Sequence, residues 1–329
     1  MIVKPETYKK LIAISKGRIH SINNKILRKT PSRIEQKRNL TENSVCIVCD
    51  YRFLVEKIKW ASKVKAICHP FHDTSIFPDN IKTYLFSESD FCSSLLTPTK
   101  ERKSKWDDRN YDFVYFTLLS RQGIHCKGLY MLTVIDRIAG ELGLRGLVIN
   151  YSDYQTKKHD DKLHNRALEK IKSNWKKFPN LKMISKSFSI NEVCSIMLGC
   201  KSVLFPNEAD ASPRILAEAI VRGRPVIVNS SIYGGWKYVN DVTGRFFNVP
   251  SLKEYSSHNY DVKAVEDSLR NAMSESLLLD TSLIAPEFEK EWGFANSCRK
   301  LASIINSVSG TNYEFVAFKE WKQQMKTLI

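Results

Sequence analysis

The sequence contains no long hydrophobic run. Although 43% of its 329 residues are hydrophobic, no apolar stretch approaches the roughly 18 residues that a helix needs to span a bilayer. The amino-terminal region carries many Lys and Arg residues and lacks the sustained apolar segment of a secretory signal. We therefore expect a cytoplasmic protein without a cleaved signal.

The sequence also lacks the patterns typical of a metal or disulfide site. Its eight cysteines are scattered, and the close pair Cys46 and Cys49 lies in a predicted strand, where side chains three positions apart point to opposite faces. Reduced and mostly buried thiols are the better interpretation. No Asp-x-Asp pair is placed to hold a divalent cation, since Asp160 and Asp161 lie in a basic polar segment. We predict no metal and no cofactor.

Acidic residues are too few to balance the basic ones. The 51 Lys and Arg residues exceed the 35 Asp and Glu residues, and much of the net charge of +16 lies in the first third of the chain. This excess suggests an anionic partner such as a membrane surface, an anionic glycolipid or nucleic acid. A solvated basic face without a specific partner explains the same composition. Short apolar patches in residues 1–43 predict amphipathic helices, which would lie on a membrane or pack on the following sheet.

What is present is an alternation of short apolar strands and helices. A small α/β unit comes first, with strands at 45–48, 64–68 and 82–86 and a helix at 53–61. The polar residues 97–110 predict a linker. A longer βαβ series follows, with strands at 113–118, 147–150, 181–184 and 202–205 and helices at 129–142, 164–178 and 191–198. This order predicts a doubly wound parallel sheet whose ligand cleft lies at the carboxyl ends of the strands.

The segment after the strand at 202–205 carries the strongest functional signal. Pro206 ends the strand, and a helix is predicted over 213–222, with Gly223 just past its end. The intervening loop therefore opens onto a helix amino terminus, where free N–H groups and the helix dipole favour an anion. Asp210 and Glu218, eight positions apart, can accept hydrogen bonds from hydroxyls on either side. A nucleoside diphosphate sugar has this distribution of charge and hydroxyls.

Residues 206–219, which read PNEADASPRILAEA, resemble a motif of retaining glycosyltransferases with two Rossmann-like domains, the GT-B type, in particular family four. That family has the pattern Pro-Ser-x-x-Glu-Gly-x-Pro-x-x-x-x-Glu-Ala. Asp210 stands where the family usually has the first Glu, and Glu208 is a competing candidate for facing the sugar. The downstream Gly234-Gly235 turn is also similar, although Tyr238 stands where a Glu is often found.

The resemblance implies a role for each residue of the donor site. In the family a Gly-Arg and a following Lys-Gly hold the donor diphosphate, and Arg121 and Lys127-Gly128 match them, with Ser120 in place of the first Gly. Glu218 is expected to hold the ribose hydroxyls, and Asp210 or Glu208 the hydroxyls of the sugar. The remaining donor contacts are expected from the start of the helix, at Ser212, Pro213, Arg214 and Ile215.

The acceptor side is less complete. The amino-terminal domain is shorter than in the family, and no Gly-rich loop follows its first strand. His72 follows a strand end and is a candidate for acting near the reacting sugar, although a lone loop histidine is more often a surface residue. His69 and the segment 87–90 are further candidates for acceptor contacts. The predicted domains are residues 1–109, residues 110–290 and a terminal part, 291–329, that returns to the first domain. The tail is expected to form two helices, over 288–306 and 313–328.

The resemblance implies hexosyl transfer with retention of anomeric configuration, and we expect it to be metal-independent. The donor is a nucleotide sugar such as a UDP or GDP sugar, and the acceptor is the hydroxyl of a glycan or glycolipid in cell-surface polysaccharide synthesis. The enzyme would work in the cytoplasm, at the inner face of a membrane. Two alternatives remain open. One is transfer to a DNA base, as in phage enzymes, with nucleic acid as the less favoured partner, and the other is a non-catalytic module that binds sugar nucleotides.

Overall fold

The chain is described by a computed structural model, which covers residues 45–47, 66–72, 77, 79–92, 111–150, 162–174, 177–186, 188–210 and 213–310. It divides into two compact units, one drawn from residues up to 93 and from 289 onward, the other from residues 94–288. The helices expected at 53–61 and 313–328 and the linker expected at 97–110 lie outside the described residues.

The first unit contains a small parallel sheet. Its described strands pair in sequence order and are β1 (Val45–Ile47), β2 (Ala66–His69) and β3 (Lys82–Leu85). These strands confirm the predictions for this region to within two residues at each end. The terminal helix of the described residues, Gly293–Ser309, packs on the turn that follows β3. There Ser297 Oγ donates to the Asp90 carbonyl at 2.7 Å, and the rings of Phe91 and Phe294 lie 6.2 Å apart.

The second unit is built on a parallel sheet. Its strands in the described residues are β4 (Tyr111–Thr117), β5 (Gly146–Asn150), β6 (Leu181–Ser185), β7 (Cys200–Phe205), β8 (Val226–Asn229) and β9 (Gly244–Phe247). Every residue of β4 is buried, as expected of a parallel strand that is covered on both faces. The spatial order is β6-β5-β4-β7-β8-β9, which is the order of a dinucleotide-binding Rossmann domain. The predicted doubly wound sheet is therefore confirmed.

Helices of the second unit cover this sheet and enclose its core, whereas the last described helix belongs to the first unit. In chain order the described helices are α1 (Arg121–Lys127), α2 (Leu132–Glu141), α3 (Lys162–Asn174), α4 (Ile190–Leu198), α5 (Arg214–Ile220), α6 (Leu252–Ser257), α7 (Val262–Ser276), α8 (Thr281–Glu291) and α9 (Gly293–Ser309). Apolar residues of α2 and α7, among them Ile135, Ile138, Leu269 and Met273, pack with β4, β5 and β8 in one core. This core holds the strand ends, and with them the loops of the site, in fixed positions.

The structure differs from the sequence prediction in two segments. Residues 121–127 form the short helix α1 rather than a loop, because the Ser120 side chain caps its first turn and Gly128 ends it. The single helix expected over 288–306 is divided between α8 and α9. The break falls at Gly293, whose φ of 80° is incompatible with a continuous right-handed helix.

The sequence predicts neither membrane-crossing helices nor disulfides. Over the ranges that the structure describes, none of the helices combines the length and the apolar character required to cross a bilayer. The described cysteines are all free thiols, and Cys92 is the one among them that is not buried. Burial raises the pKa of the Cys200 thiol to about 12, so this thiol is protonated at neutral pH.

The core of the second unit provides a test of the fold. Leu269 is fully buried on α7, whereas Leu278 is 83% exposed just beyond the same helix. Leu269→Ala should lower the free energy of unfolding by about 2–5 kcal/mol, because it removes buried apolar surface and leaves a cavity. Leu278→Ala should change that free energy by less than about 0.5 kcal/mol. Equal effects of the two substitutions in urea unfolding would contradict this packing.

Candidate functional site

The strand order of the second unit creates a crevice between β4 and β7. The chain leaves β4 toward β5 and β6 on one side, and it leaves β7 toward β8 and β9 on the other. The loops that follow β4 and β7 therefore diverge at the carboxyl end of the sheet, which is where open α/β sheets bind their ligands. The segment 120–128 follows β4, and the segment 206–213 follows β7.

Gly128 brings the first of these loops against the second. It ends α1 in the left-handed conformation, with φ of 65°, and a Cβ at this position would overlap the carbonyl of Pro206. The Tyr115 hydroxyl donates a hydrogen bond to the Lys127 carbonyl and ties the end of α1 to the underlying strand. Lys127 is consequently held at the point where the chain leaves β7.

Lys127 and Asp210 form an ion pair across the crevice. Their side chains are only 17% and 14% exposed, so solvent screens the pair less than it would a surface pair. Asn207 Nδ2 donates a further hydrogen bond of 2.9 Å to the same carboxylate oxygen. The sequence placed these two charged residues 83 positions apart, and the structure brings them into contact.

The loop after β8 braces the Asp210 segment from the other side. Its Tyr233 N–H donates to the Glu208 carbonyl at 3.0 Å, and its Gly234 N–H donates to the Asp210 carbonyl at 2.9 Å. Gly235 has φ of 84°, and a Cβ there would overlap the ring of Pro213 at the start of α5. The Gly234-Gly235 turn therefore connects Asp210 to the helix that carries Glu218.

Glu218 lies on α5 and is almost fully buried, with a side chain that is 6% exposed. The Arg214 Nε donates to its Oε1 at 2.8 Å, one helical turn away. The Arg222 Nη1 donates to the backbone carbonyl of Glu218 at 2.6 Å. The carboxylate thus has a cationic partner, although the sequence prediction assigned Arg214 a role only through its position at the helix start.

Glu208 has a different environment from Asp210. Its backbone N–H donates to the Cys126 carbonyl at 3.3 Å, which adds another link between the two loops. Burial raises the pKa of its carboxyl group, and the nearby Glu254 adds to that rise. Within the described ranges no cation pairs with Glu208, in contrast to Asp210. Asp210 and Glu208, which the sequence left as alternatives, therefore differ in their electrostatic surroundings.

The other predicted site residues are placed as follows. Arg121 begins α1, but its side chain is outside the described residues, as is all of Ser212. Pro213 immediately precedes α5, and Ile215 is the second residue of that helix. His72 is exposed and belongs to the first unit. Its proposed action near the sugar stays a prediction.

Two of the acceptor-side candidates, His69 and Asp90, are buried. His69 is 2% exposed, and its Nδ1 accepts a hydrogen bond of 3.2 Å from the Phe71 N–H, so it stabilises the loop after β2. Asp90 is fully buried, and its two oxygens accept hydrogen bonds of 2.9 Å from the Ser87 N–H and hydroxyl. The hydrogen bonds described above link each side chain to nearby residues of the chain. Contact of either residue with an acceptor stays a prediction.

Sequence analysis missed the asparagines at the strand ends. Asn207 donates to Asp210, and Asn229 Nδ2 donates to the Asn207 carbonyl at 3.0 Å. Asn150, at the end of β5, accepts a hydrogen bond of 2.8 Å from the Leu119 N–H. A polar amide at the end of a buried apolar strand, or within two residues of that end, is the signal that identifies all three, because such a residue can bridge neighbouring loops.

The sequence of this chain matches no protein-family model and no curated protein sequence. Its structure does match solved structures. The pneumococcal O-GlcNAc transferase GtfA, in complex with UDP and GlcNAc, is 13% identical with a TM-score of 0.50 over 80% of this chain and 52% of that one. The trehalose-phosphate synthase (UDP-forming) of Burkholderia vietnamiensis is 10% identical with a TM-score of 0.53 over 80% of this chain and 67% of that one.

The lipopolysaccharide outer core galactosyltransferase WaaB is 12% identical with a TM-score of 0.52, over 77% of this chain and 66% of that one. The chain thus spans about half the length of GtfA and about two thirds of the length of the other two proteins. At these identities the likeness concerns the fold. The fold expected from the sequence resemblance is confirmed, and this chain has the fold of GT-B glycosyltransferases.

Proposed function

We propose that this protein transfers a sugar from a nucleoside diphosphate donor to a hydroxyl acceptor, with retention at the anomeric carbon. The contact between Lys127 and Asp210 carries this proposal, because a cation and a carboxylate meet at the β4/β7 crevice, the edge at which open α/β sheets bind their ligands. Glu218, on the helix that follows the Asp210 loop, supplies a second acid for the nucleoside side.

In this proposal the protein stabilises the charges that develop during transfer and does not itself attack the sugar as a nucleophile. As the bond between the sugar and the phosphate breaks, negative charge grows on the diphosphate and positive charge grows on the sugar ring. Lys127 would stabilise the leaving diphosphate, a contribution of about 3 kcal/mol where water is excluded. Arg121 is proposed to share this role. Asp210 would accept hydrogen bonds from the sugar and thereby hold it in the reactive orientation.

The donor must compete with Asp210 for Lys127. A single ammonium group can donate to both a carboxylate and a phosphate, but each partner weakens its interaction with the other. Asp210 therefore has two effects in this proposal. It lowers the affinity for the bare diphosphate, and it orients the sugar when a complete donor is bound.

Transfer itself is the first test. Purified protein incubated with UDP and GDP sugars and a hydroxyl acceptor should release the nucleoside diphosphate and form a product with the anomeric configuration of the donor, as read by NMR coupling constants. Lys127 and Arg121 would neutralise the diphosphate without a divalent cation. We expect the rate to be unchanged in EDTA. Donor binding without any release of diphosphate would favour the non-catalytic module instead.

The ion pair makes opposite predictions for its two members. Lys127→Met should weaken binding of the nucleoside diphosphate about 100-fold, since a contact of about 3 kcal/mol is lost. Asp210→Asn should tighten that binding roughly three- to tenfold, because the competing carboxylate charge is gone, while transfer slows. Titration calorimetry measures both affinities.

Lys172 provides the matched control for Lys127, since it is an exposed lysine that pairs with Glu169 on α3. Lys172→Met should leave the affinity of the nucleoside diphosphate unchanged. If Asp210→Asn bound the nucleoside diphosphate more weakly than the wild-type protein, the Asp210 carboxylate would assist diphosphate binding instead of competing for Lys127. That result would contradict the proposed arrangement.

The acceptor is proposed to be an anionic glycan or glycolipid at a membrane surface. The net charge of +16 supports an anionic partner, and the structurally similar WaaB is a lipopolysaccharide outer core galactosyltransferase. Cosedimentation with vesicles containing anionic lipid should exceed cosedimentation with neutral vesicles and should fall with added salt. Strong, salt-dependent binding to duplex DNA without binding to anionic vesicles would instead favour transfer to a DNA base.

A further inference from the structure

Arg214 and Glu218 form a pair in which one member is buried and the other reaches solvent. The Arg214 side chain is 41% exposed, the Glu218 side chain is 6% exposed, and Nε lies 2.8 Å from Oε1. Both residues belong to α5, where a spacing of four places them on the same face. The helix therefore presents a buried carboxylate that is neutralised from the solvent side.

The surroundings of Glu218 make this partner necessary. Its helix neighbours Ala217 and Ala219 are fully buried, as is Leu216. A carboxylate in such an environment is costly unless a cation or several hydrogen bonds compensate it. Arg222 contacts the backbone carbonyl of Glu218 and the Cys194 sulfur, not the carboxylate. Among the described residues, Arg214 is the group that holds the carboxylate.

The geometry leaves one oxygen of Glu218 for a ligand. Oε1 accepts from Arg214, and no hydrogen bond from the described residues reaches Oε2. A carboxylate held at one oxygen by a rigid guanidinium has little freedom to turn, so the direction of the other oxygen is fixed. That second oxygen can accept a hydrogen bond from one ligand hydroxyl.

We infer that Arg214 is a positioning residue that fixes Glu218 for a single ribose hydroxyl, and that the pair selects ribonucleoside over deoxyribonucleoside diphosphates. This inference rests on the proposed function, since it takes the ribose of the donor as the ligand. To that function it adds Arg214 as the residue that orients Glu218, and it adds a preference for ribonucleoside diphosphates that follows from this orientation. Arg214 acts through Glu218 and is not itself required to touch the donor.

The test compares UDP and GDP with their 2′-deoxy and 3′-deoxy counterparts by titration calorimetry. In the wild-type protein, removal of the ribose hydroxyl that donates to Glu218 should weaken binding about ten- to 100-fold, which is the effect of losing a hydrogen bond to a charged group. In Arg214→Leu the ratio of the affinity for the ribonucleotide to the affinity for the deoxy counterpart should fall below about threefold, because Glu218 is no longer held in place. Arg214→Lys keeps a cation near Glu218 and should restore part of the ratio.

The Glu218→Gln variant should also narrow the ratio, because it replaces the charged acceptor. Arg137 provides the matched control, since it pairs with Glu141 at the same spacing on α2, where both side chains are well exposed. Arg137→Leu should keep the wild-type ratio. The midpoint of thermal unfolding, measured with each variant, identifies any variant that has failed to fold.

Three outcomes would overturn the inference. Equal weakening of ribo and deoxy ligands in Arg214→Leu would mean that Arg214 supports the helix or contacts phosphate. A wild-type protein that binds nucleoside diphosphates without distinguishing ribose from deoxyribose would refute the inference and leave the proposed function intact. A wild-type protein that binds neither UDP nor GDP would refute both.

Discussion

The ion pair between Lys127 and Asp210 is the interaction on which the site depends. It joins the loop after β4 to the loop after β7, the two connections that diverge at the switch point of the sheet. Neither side chain would be stable at its low exposure without an opposite charge nearby. The pair therefore marks the place where the two loops meet, and this is where we propose that the donor binds.

Glycine makes this close approach possible. Gly128 lies against the Pro206 carbonyl and Gly235 lies against the Pro213 ring, and at each position a Cβ would overlap its neighbour. Both residues also have positive φ, which side chains with a Cβ rarely adopt. The loops of β4, β7 and β8 are thus brought together by backbone contacts, while the asparagines at the strand ends bridge them with side-chain amides.

The three acids around the crevice have three different partners. Asp210 is paired with a lysine from another loop, and Glu218 is paired with an arginine from its own helix. The pKa of the Glu208 carboxyl group is raised by burial and, in addition, by a second acid, Glu254. Since the residue type is nearly the same, these differences arise from the surroundings. They distinguish an acid that is paired between two loops from an acid that is paired within its own helix.

The sequence by itself determined the alternation of strands and helices, the parallel sheet, and the identity of the two loops that carry Lys127 and Asp210. These follow from local patterns, namely apolar runs of strand length, a proline at a strand end and a glycine beyond a helix. The tertiary structure decided which side chains meet. The contact of Lys127 with Asp210 depends on strand order, because residues far apart in the chain lie at the same edge of the sheet. The pairing of Arg214 with Glu218 and the burial of His69 and Asp90 depend on packing, because residues close together in the chain can have different surroundings.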